Sequence, residues 1–326
     1  MRLTREPFLP VTAAARPAPL PQPLREALFG GGLRCFVLID GARVAAVDAL
    51  LETAGARAHG LFQEDDALQD SAAAGPWLAE LRPEDKLSRL IFTASNAPQH
   101  LWGRVNLVLL RSRAEAPALV AHFRHYIRLQ RADGSRALFR FWDGQVLCDY
   151  FEGCADLPQR AARLFGVQGA VPLVETFLLA PREAHGLERF SLHGPLPHEA
   201  QIPDPSLTAE DEAIFRAAAD RQIVRRVEAR LADRFAKLDP AQAHHARPYA
   251  QGALSFIRRF GSGQVADLER DCFQLALVAF LLGPSWPTVA KGPLLRERLV
   301  PMSQRIALLR ESYFAALKAA PMQGER

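Results

Sequence analysis

The sequence predicts an N-terminal lobe of the α/β (α+β) class, a mixed sheet with flanking helices, followed by an all-α C-terminal lobe. Short apolar runs at 33–40 and 105–110 alternate with stretches of helical periodicity, as a layered sheet-and-helix fold requires. From residue 208 onward the apolar spacing is helical alone. A chain of 326 residues that is 49% hydrophobic has enough apolar surface for two cores.

Residues 1–23 are crowded with prolines and read as an extended arm. The α/β domain is expected over 24–180. Its first strand, 33–40, ends at Asp40-Gly41, and Val44, Val47, Leu50 and Leu51 then follow at helical spacing as far as Gly55. Trp77 anchors the next apolar stretch. After the strand at 105–110, Ser112 and Glu115 stand at capping-box spacing before a helix carrying Leu119, Val120 and Phe123.

The densest stretch is 126–151. Asp133-Gly134 between two apolar runs is a strong hairpin signal, because both residues tolerate positive φ. A two-residue turn there sets Ile127 opposite Arg140 and Leu129 opposite Leu138. The run 137–142 then reads as a strand covered on both faces, with Arg140 among apolar neighbours and in need of a buried partner, Asp40 or Asp143. Val146, Leu147, Tyr150 and Phe151 begin a helix, and another closes at Gly166.

Prolines and histidines between 181 and 207 read as a linker to the helical lobe, 208–326. Thr208-Ala-Glu-Asp211 is a helix start with acids in the first turn. Val224, Val227 and Leu231 make one stripe. Cys272, Leu275 and Ala279 make another on a helix apolar nearly all round, which should therefore be central. Ile306, Leu309, Tyr313 and Leu317 form the last stripe.

Charge and cysteines narrow the function classes. A net charge of +4, supplied almost wholly by arginine and spread along the chain, marks neither a nucleic-acid nor a membrane partner. Cys35, Cys148, Cys154 and Cys272 lack metal-site spacing and read as buried thiols of a reducing, cytoplasmic compartment. The N-terminus has no apolar leader core, and the run 272–283 is too short to span a bilayer.

No credible catalytic set emerges, and no metal or cofactor is expected. His122 and His125 lack a third ligand at recognisable spacing. Asp143 and Asp149 read as a helix cap and a surface charge. Gly30-Gly31-Gly32 precedes a strand rather than a helix, so it is no phosphate cradle. Acids interleave with the arginines at 221–234, which disfavours a nucleic-acid groove. An enzyme assembled from Asp40, Arg140 and Asp143 is the runner-up reading, and a nucleic-acid binder using 221–234 the third.

The ordered motifs resemble a known family. Phe139-Arg140-Phe141-Trp142-Asp143, Leu38-Ile39-Asp40-Gly41-Ala42, Ala74-Gly75-Pro76-Trp77-Leu78, Leu109-Leu110-Arg111-Ser112 and Leu164-Phe165-Gly166 are similar to the signature of the type VI secretion effector-chaperone (adaptor) domain, over roughly 33–170. Gly144 and Gln145 stand where that family has proline and arginine. The resemblance implies a non-enzymatic cytoplasmic adaptor that holds a toxic effector and loads it onto the valine-glycine repeat (VgrG) spike. It makes Asp40, Arg140 and Asp143 a structural signature. The exposed arginines and aromatics expected to anchor partners are Arg225, Arg226, Arg230, Tyr249, Arg258, Arg259 and Trp286.

Overall fold

A computed structural model describes residues 1–11, 13–62, 74–168, 171–180, 186–195, 205–238, 246–261, 267–282 and 300–319. The chain divides into two compact units, Met1–Ala218 and Ala219–Arg326. The first is built on a seven-stranded sheet. Its strands are β1 (Arg2–Pro10), β2 (Arg34–Asp40), β3 (Ala58–Gly60), β4 (Pro76–Leu81), β5 (Leu107–Ser112), β10 (Thr176–Ala180) and β11 (Gly186–His193), in the order β1-β11-β10-β5-β2-β4-β3. Two short hairpins are the other strand pairs among the described residues: β6 (Arg128–Gln130) with β7 (Arg136–Leu138), and β8 (Val167–Gln168) with β9 (Val171–Pro172).

Every neighbouring pair in the large sheet is antiparallel, where a mixed sheet is expected from sequence. The helical crossovers that suggest parallel strands do exist. Helix α2 (Val47–Thr53) joins β2 to β3, and α3 (Lys86–Ile91) joins β4 to β5. In both cases another strand lies between the two that the crossover links, β4 in the first and β2 in the second. The pattern of a parallel unit is therefore present in the sequence, while the direct parallel pairing is not.

Both faces of the sheet are covered, which accounts for the uninterrupted apolar character of β2 and β5. Phe36, Leu38, Val108, Leu110 and Phe177 face one layer, made by α4 (Ala116–Tyr126), α5 (Gly144–Gly153) and α6 (Pro158–Phe165). Cys35, Val37, Ile39, Leu107 and Leu109 face the other, made by α1 (Gln22–Phe29), α2 and α3. The first layer is rich in aromatic contacts. Phe123 stacks on Phe141, and Phe177 meets Phe165 edge to face. All four cysteines are buried and free, and burial pushes Cys35 and Cys148 up to about 12.

Several expectations need correction. Residues 2–10, expected in a Pro-rich arm, form an edge strand of the sheet, and 186–193, expected in a linker, form its partner β11. Proline is tolerated at an edge, and the register shifts between Pro7 and Leu9. Cross-strand charge holds this edge: Arg5 donates to Glu188 at 2.6 Å, and Glu6 pairs with Arg189 directly opposite. The rest of the expected linker, 181–185 and 196–204, lies outside the described residues. Ser112 does not cap α4. It is the last residue of β5, donates to the Leu173 carbonyl at 2.6 Å and accepts from the Ala114 amide.

The second unit is helical, as expected. Among the described residues it contains the C-terminal part of α7 (Ala209–Leu238), with α8 (Ala246–Phe260), α9 (Leu268–Leu282) and α10 (Met302–Ala319). Val227, Leu231, Ile257, Cys272, Leu275, Ala279, Ile306 and Leu309 are among its buried core. Helix α9 packs against both α8 and α10, the central position its all-round apolar surface implies.

Candidate functional site

The hairpin β6–β7 decides where Arg140 goes. Its loop has three residues rather than two. Arg131 donates to the Ser135 carbonyl, Gly134 donates back to Arg131, and Gly134 takes φ +80°. The resulting register pairs Arg128 with Leu138 and Leu129 with Ala137, one residue away from that of a two-residue turn. A slip of one exchanges the faces of a strand. Phe139 and Phe141 are therefore buried, while the Arg140 side chain is 39% exposed instead of largely buried. The strand also ends at Leu138 rather than Trp142. Phe141 donates to the Phe139 carbonyl and Asp143 to that of Arg140, two tight bends that turn the chain into α5.

Arg140 does find one of its two expected partners. Its guanidinium donates to Asp40 at 2.5 Å, at the end of the central strand β2. Asp40 is 5% exposed and also accepts from the Ala42 amide. Arg43 lies 3.8 Å from Asp40 and 3.9 Å from Asp143, so it bridges the two carboxylates. Asp143 caps α5, accepting from the Gln145 and Val146 amides, and receives the Asn106 amide at 2.8 Å. Gly144 follows because a Cβ there would come within 2.6 Å of the Leu107 carbonyl. This cluster fastens β2, the hairpin and α5 together, and both carboxylates are occupied in doing so.

A second arginine–aspartate pair has no counterpart in the sequence reading. Arg163 of α6 and Asp211 of α7 are both fully buried, with guanidinium–carboxylate bonds of 3.0 and 3.4 Å. Arg160 and the hydroxyl of Tyr150 reach the same carboxylate, and the Arg163 guanidinium lies over the Tyr150 ring. Thr208 and Asp211 exchange hydrogen bonds as a capping box, so the expected helix start is also the counter-ion of a buried arginine. The available signal was Arg163 standing between Ala162 and Leu164, inside the apolar part of a short helix. Asp149, expected at the surface, is buried.

His122 is buried and its Nε2–H donates to the Leu164 carbonyl at 3.0 Å. Desolvation pushes its pKa down to about 4, so it is neutral and holds α4 to α6. Among the described residues no three His, Cys, Asp or Glu side chains are grouped to hold a metal ion.

The arginines expected to anchor partners in the helical unit are largely engaged within it. Arg226 donates to Glu269 at 2.7 Å, and Arg230 lies 3.6 Å from the same carboxylate and over the Phe273 ring. Arg258 pairs with Asp220, Arg259 lies over Phe260, and Tyr249 meets Phe280 edge to face. Arg225 is half-buried, and Trp286 lies outside the described residues.

Two clefts flank the β6–β7 hairpin in the first unit. One, of about 670 Å³, is lined by Arg124, His125, Arg128, Gln130, Arg136 and Ser206 among others. The other, of about 520 Å³, is lined by apolar residues such as Leu129, Phe139 and Phe215 together with Arg131, Arg140, Glu212 and Arg216.

The Asp40–Arg140–Asp143 cluster thus fastens strands and helices of an α/β/α layer sandwich, beside open clefts. Residues 35–162 match the model of a family described as a domain of unknown function (DUF4123), which is associated with type VI secretion effector adaptors. The match takes in Asp40, Arg140 and Asp143 and stops one residue short of Arg163. Strands β1, β10 and β11 and the helical unit lie outside it. No curated protein and no solved structure matches the chain. No helix among the described residues is long and apolar enough to cross a membrane.

Proposed function

We propose that the chain is a type VI secretion adaptor that holds one toxic effector in the cytoplasm and loads it onto a VgrG-type spike before firing. The observation that carries this reading is the match over 35–162, which contains the Arg140–Asp40 cluster. The geometry supports a role without catalysis. Asp40 is bound by Arg140 and a backbone amide, and Asp143 by two helix amides and Asn106. The thiols are buried, with burial holding them protonated at neutral pH.

Deleting the gene tests the proposal. Secretion of one cognate effector should stop while the secretion machine still assembles and fires, and complementation should restore delivery. Normal export of every effector in the deletion strain would defeat it.

A further inference from the structure

A third cavity of the first unit, of about 520 Å³, shares no wall residue with the two clefts beside the hairpin. Its wall is built from Pro17, the turn at 44–46, α2, α3 and the loop at 98–100. All of these stretches, and the chain on either side of each, lie within the described residues. The floor is apolar and made largely of small side chains. Val44 and Leu90 are its buried members, and Ala45, Ala46 and Ala49 lie exposed between them. The turn into α2 is made at Ala46, the one non-glycine residue at positive φ among the described residues. Glycine would take that conformation without strain, but alanine adds a methyl to the floor.

Two polar side chains in this wall have hydrogen-bonding capacity left over. Lys86 is the charged residue of the wall. It donates to the Thr53 carbonyl at 3.4 Å and makes no ion pair among the described residues. His100 is only 7% exposed. Its Nδ1 meets the Ser95 hydroxyl at 2.6 Å, and that hydroxyl also accepts from the Ala97 amide at 3.1 Å. The ring nitrogen left for a ligand is therefore Nε2. A nine-tenths buried imidazole with one free nitrogen at the wall of an apolar cavity is a polar handle in search of a partner.

The geometry points to a binding site for an aliphatic monocarboxylate of medium chain length. Its carboxylate accepts from Lys86 Nζ and from His100 Nε2–H, and its chain lies over Ala45, Ala46 and Ala49. One ammonium in the wall selects a single negative charge, and the methyl-lined floor selects an apolar body. With Nε2–H donating to the carboxylate, the Ser95 O–H donates to Nδ1, so the pair with Ser95 holds the ring in the tautomer the ligand needs. The volume lies in the range of pockets that enclose whole small molecules, well above the space one aliphatic side chain fills. That favours a free acid over the last residue of a partner chain. The inference is independent of the adaptor reading.

The test uses the full chain, with alanine methyls carrying ¹³C and histidine carrying ¹⁵N, and sodium octanoate as the probe. Saturable shifts of the Ala45, Ala46 and Ala49 methyls are expected, with a Kd of about 1 mM or tighter. The His100 ring should move to the Nε2–H tautomer over the same titration. Octan-1-ol and octylammonium keep the chain and lose or invert the charge, and should bind about fivefold more weakly or worse. Lys86→Gln should weaken octanoate by a similar factor. Ala49→Phe, at an exposed position of α2, should fill the cavity and abolish the shifts at Ala45 and Ala46. Unchanged methyl signals from the buried Ala79 and Ala161 verify that each variant is folded. Absence of saturable octanoate binding overturns the proposal, as does binding that leaves His100 unmoved. Equal affinity for octan-1-ol, or full affinity in Lys86→Gln or Ala49→Phe, overturns it too. So does binding of a leucine-ended peptide where octanoate fails. Effector export in the deletion strain bears on the adaptor reading alone, so the two can fail separately.

Discussion

Two arginine–aspartate pairs in the first unit look alike in sequence and differ in physics. Arg140–Asp40 joins the hairpin to the end of β2, with the guanidinium half in water and Arg43 nearby as a second cation. Arg163–Asp211 joins α6 to α7 with neither side chain reaching solvent. Water solvates Arg140 whether or not Asp40 is present, so that bond is a modest net gain. Without Arg163, Asp211 keeps Arg160, the Tyr150 hydroxyl and Thr208 but gains no water, and a fully buried carboxylate that loses its nearest guanidinium is an expensive defect. The pair within the matched residues 35–162 is thus the weaker fastener, and the pair that reaches beyond them the stronger.

The largest expected effect follows from that asymmetry. Arg163→Met should cost about 3–5 kcal/mol, seen as a large drop in the denaturation midpoint of the first unit. Adding Asp211→Asn should recover a substantial part, because the neutral amide keeps a cap without a buried charge. A small loss in the single variant would break the comparison.

His122 sharpens it, as a buried titratable group with no carboxylate beside it among the described residues. Its folded pKa of about 4 lies below the 6.5 expected when unfolded. Between those values the unfolded chain binds a proton that the native chain does not, so stability is complete above about pH 6.5 and falls as pH drops toward 4. The contribution lost is about 3 kcal/mol. His122→Gln should flatten this part of the stability–pH profile. A profile identical to that of the parent chain would show that His122 is not what drives it.

Arg140→Ala should cost about 1 kcal/mol, well below Arg163→Met, because its side chain is already hydrated and Arg43 remains near Asp40. Thermal melts of the two variants side by side measure the difference directly. Equal losses would mean that the signature cluster is stiffer than its exposure implies.

The smallest effect belongs to the helical unit. Reversing Arg225, Arg226 and Arg230 together should change stability by about 1 kcal/mol or less, since Arg226 and Arg230 share an exposed pair with Glu269. Their contribution to partner capture is a separate expectation, read by binding assays on the folded variant.

The sequence by itself determined the two cores, the central strands β2 and β5, the hairpin position, the cap at Asp143 and the start of α7. These depend on periodicity, on backbone preferences of Gly and Asp, and on partners only a few residues away. It also named Asp40 and Asp143 as the candidate partners of Arg140, because an arginine among apolar residues demands a carboxylate; the structure selected Asp40, 100 residues away in sequence. The tertiary structure alone decided the rest. A three-residue loop in place of two turned Arg140 outward, since strand faces alternate with every residue. Insertion of β4 and β2 between crossover-linked strands made the sheet antiparallel, which local pattern cannot report. Residues 2–10 and 186–193 became strands because each supplies the other's hydrogen bonds and charges, and neither carries that information alone. Arg163 and Asp211 met for the same reason: an arginine within an apolar helix stretch and an ordinary capping acid become a buried pair only when α6 and α7 are packed and water is excluded.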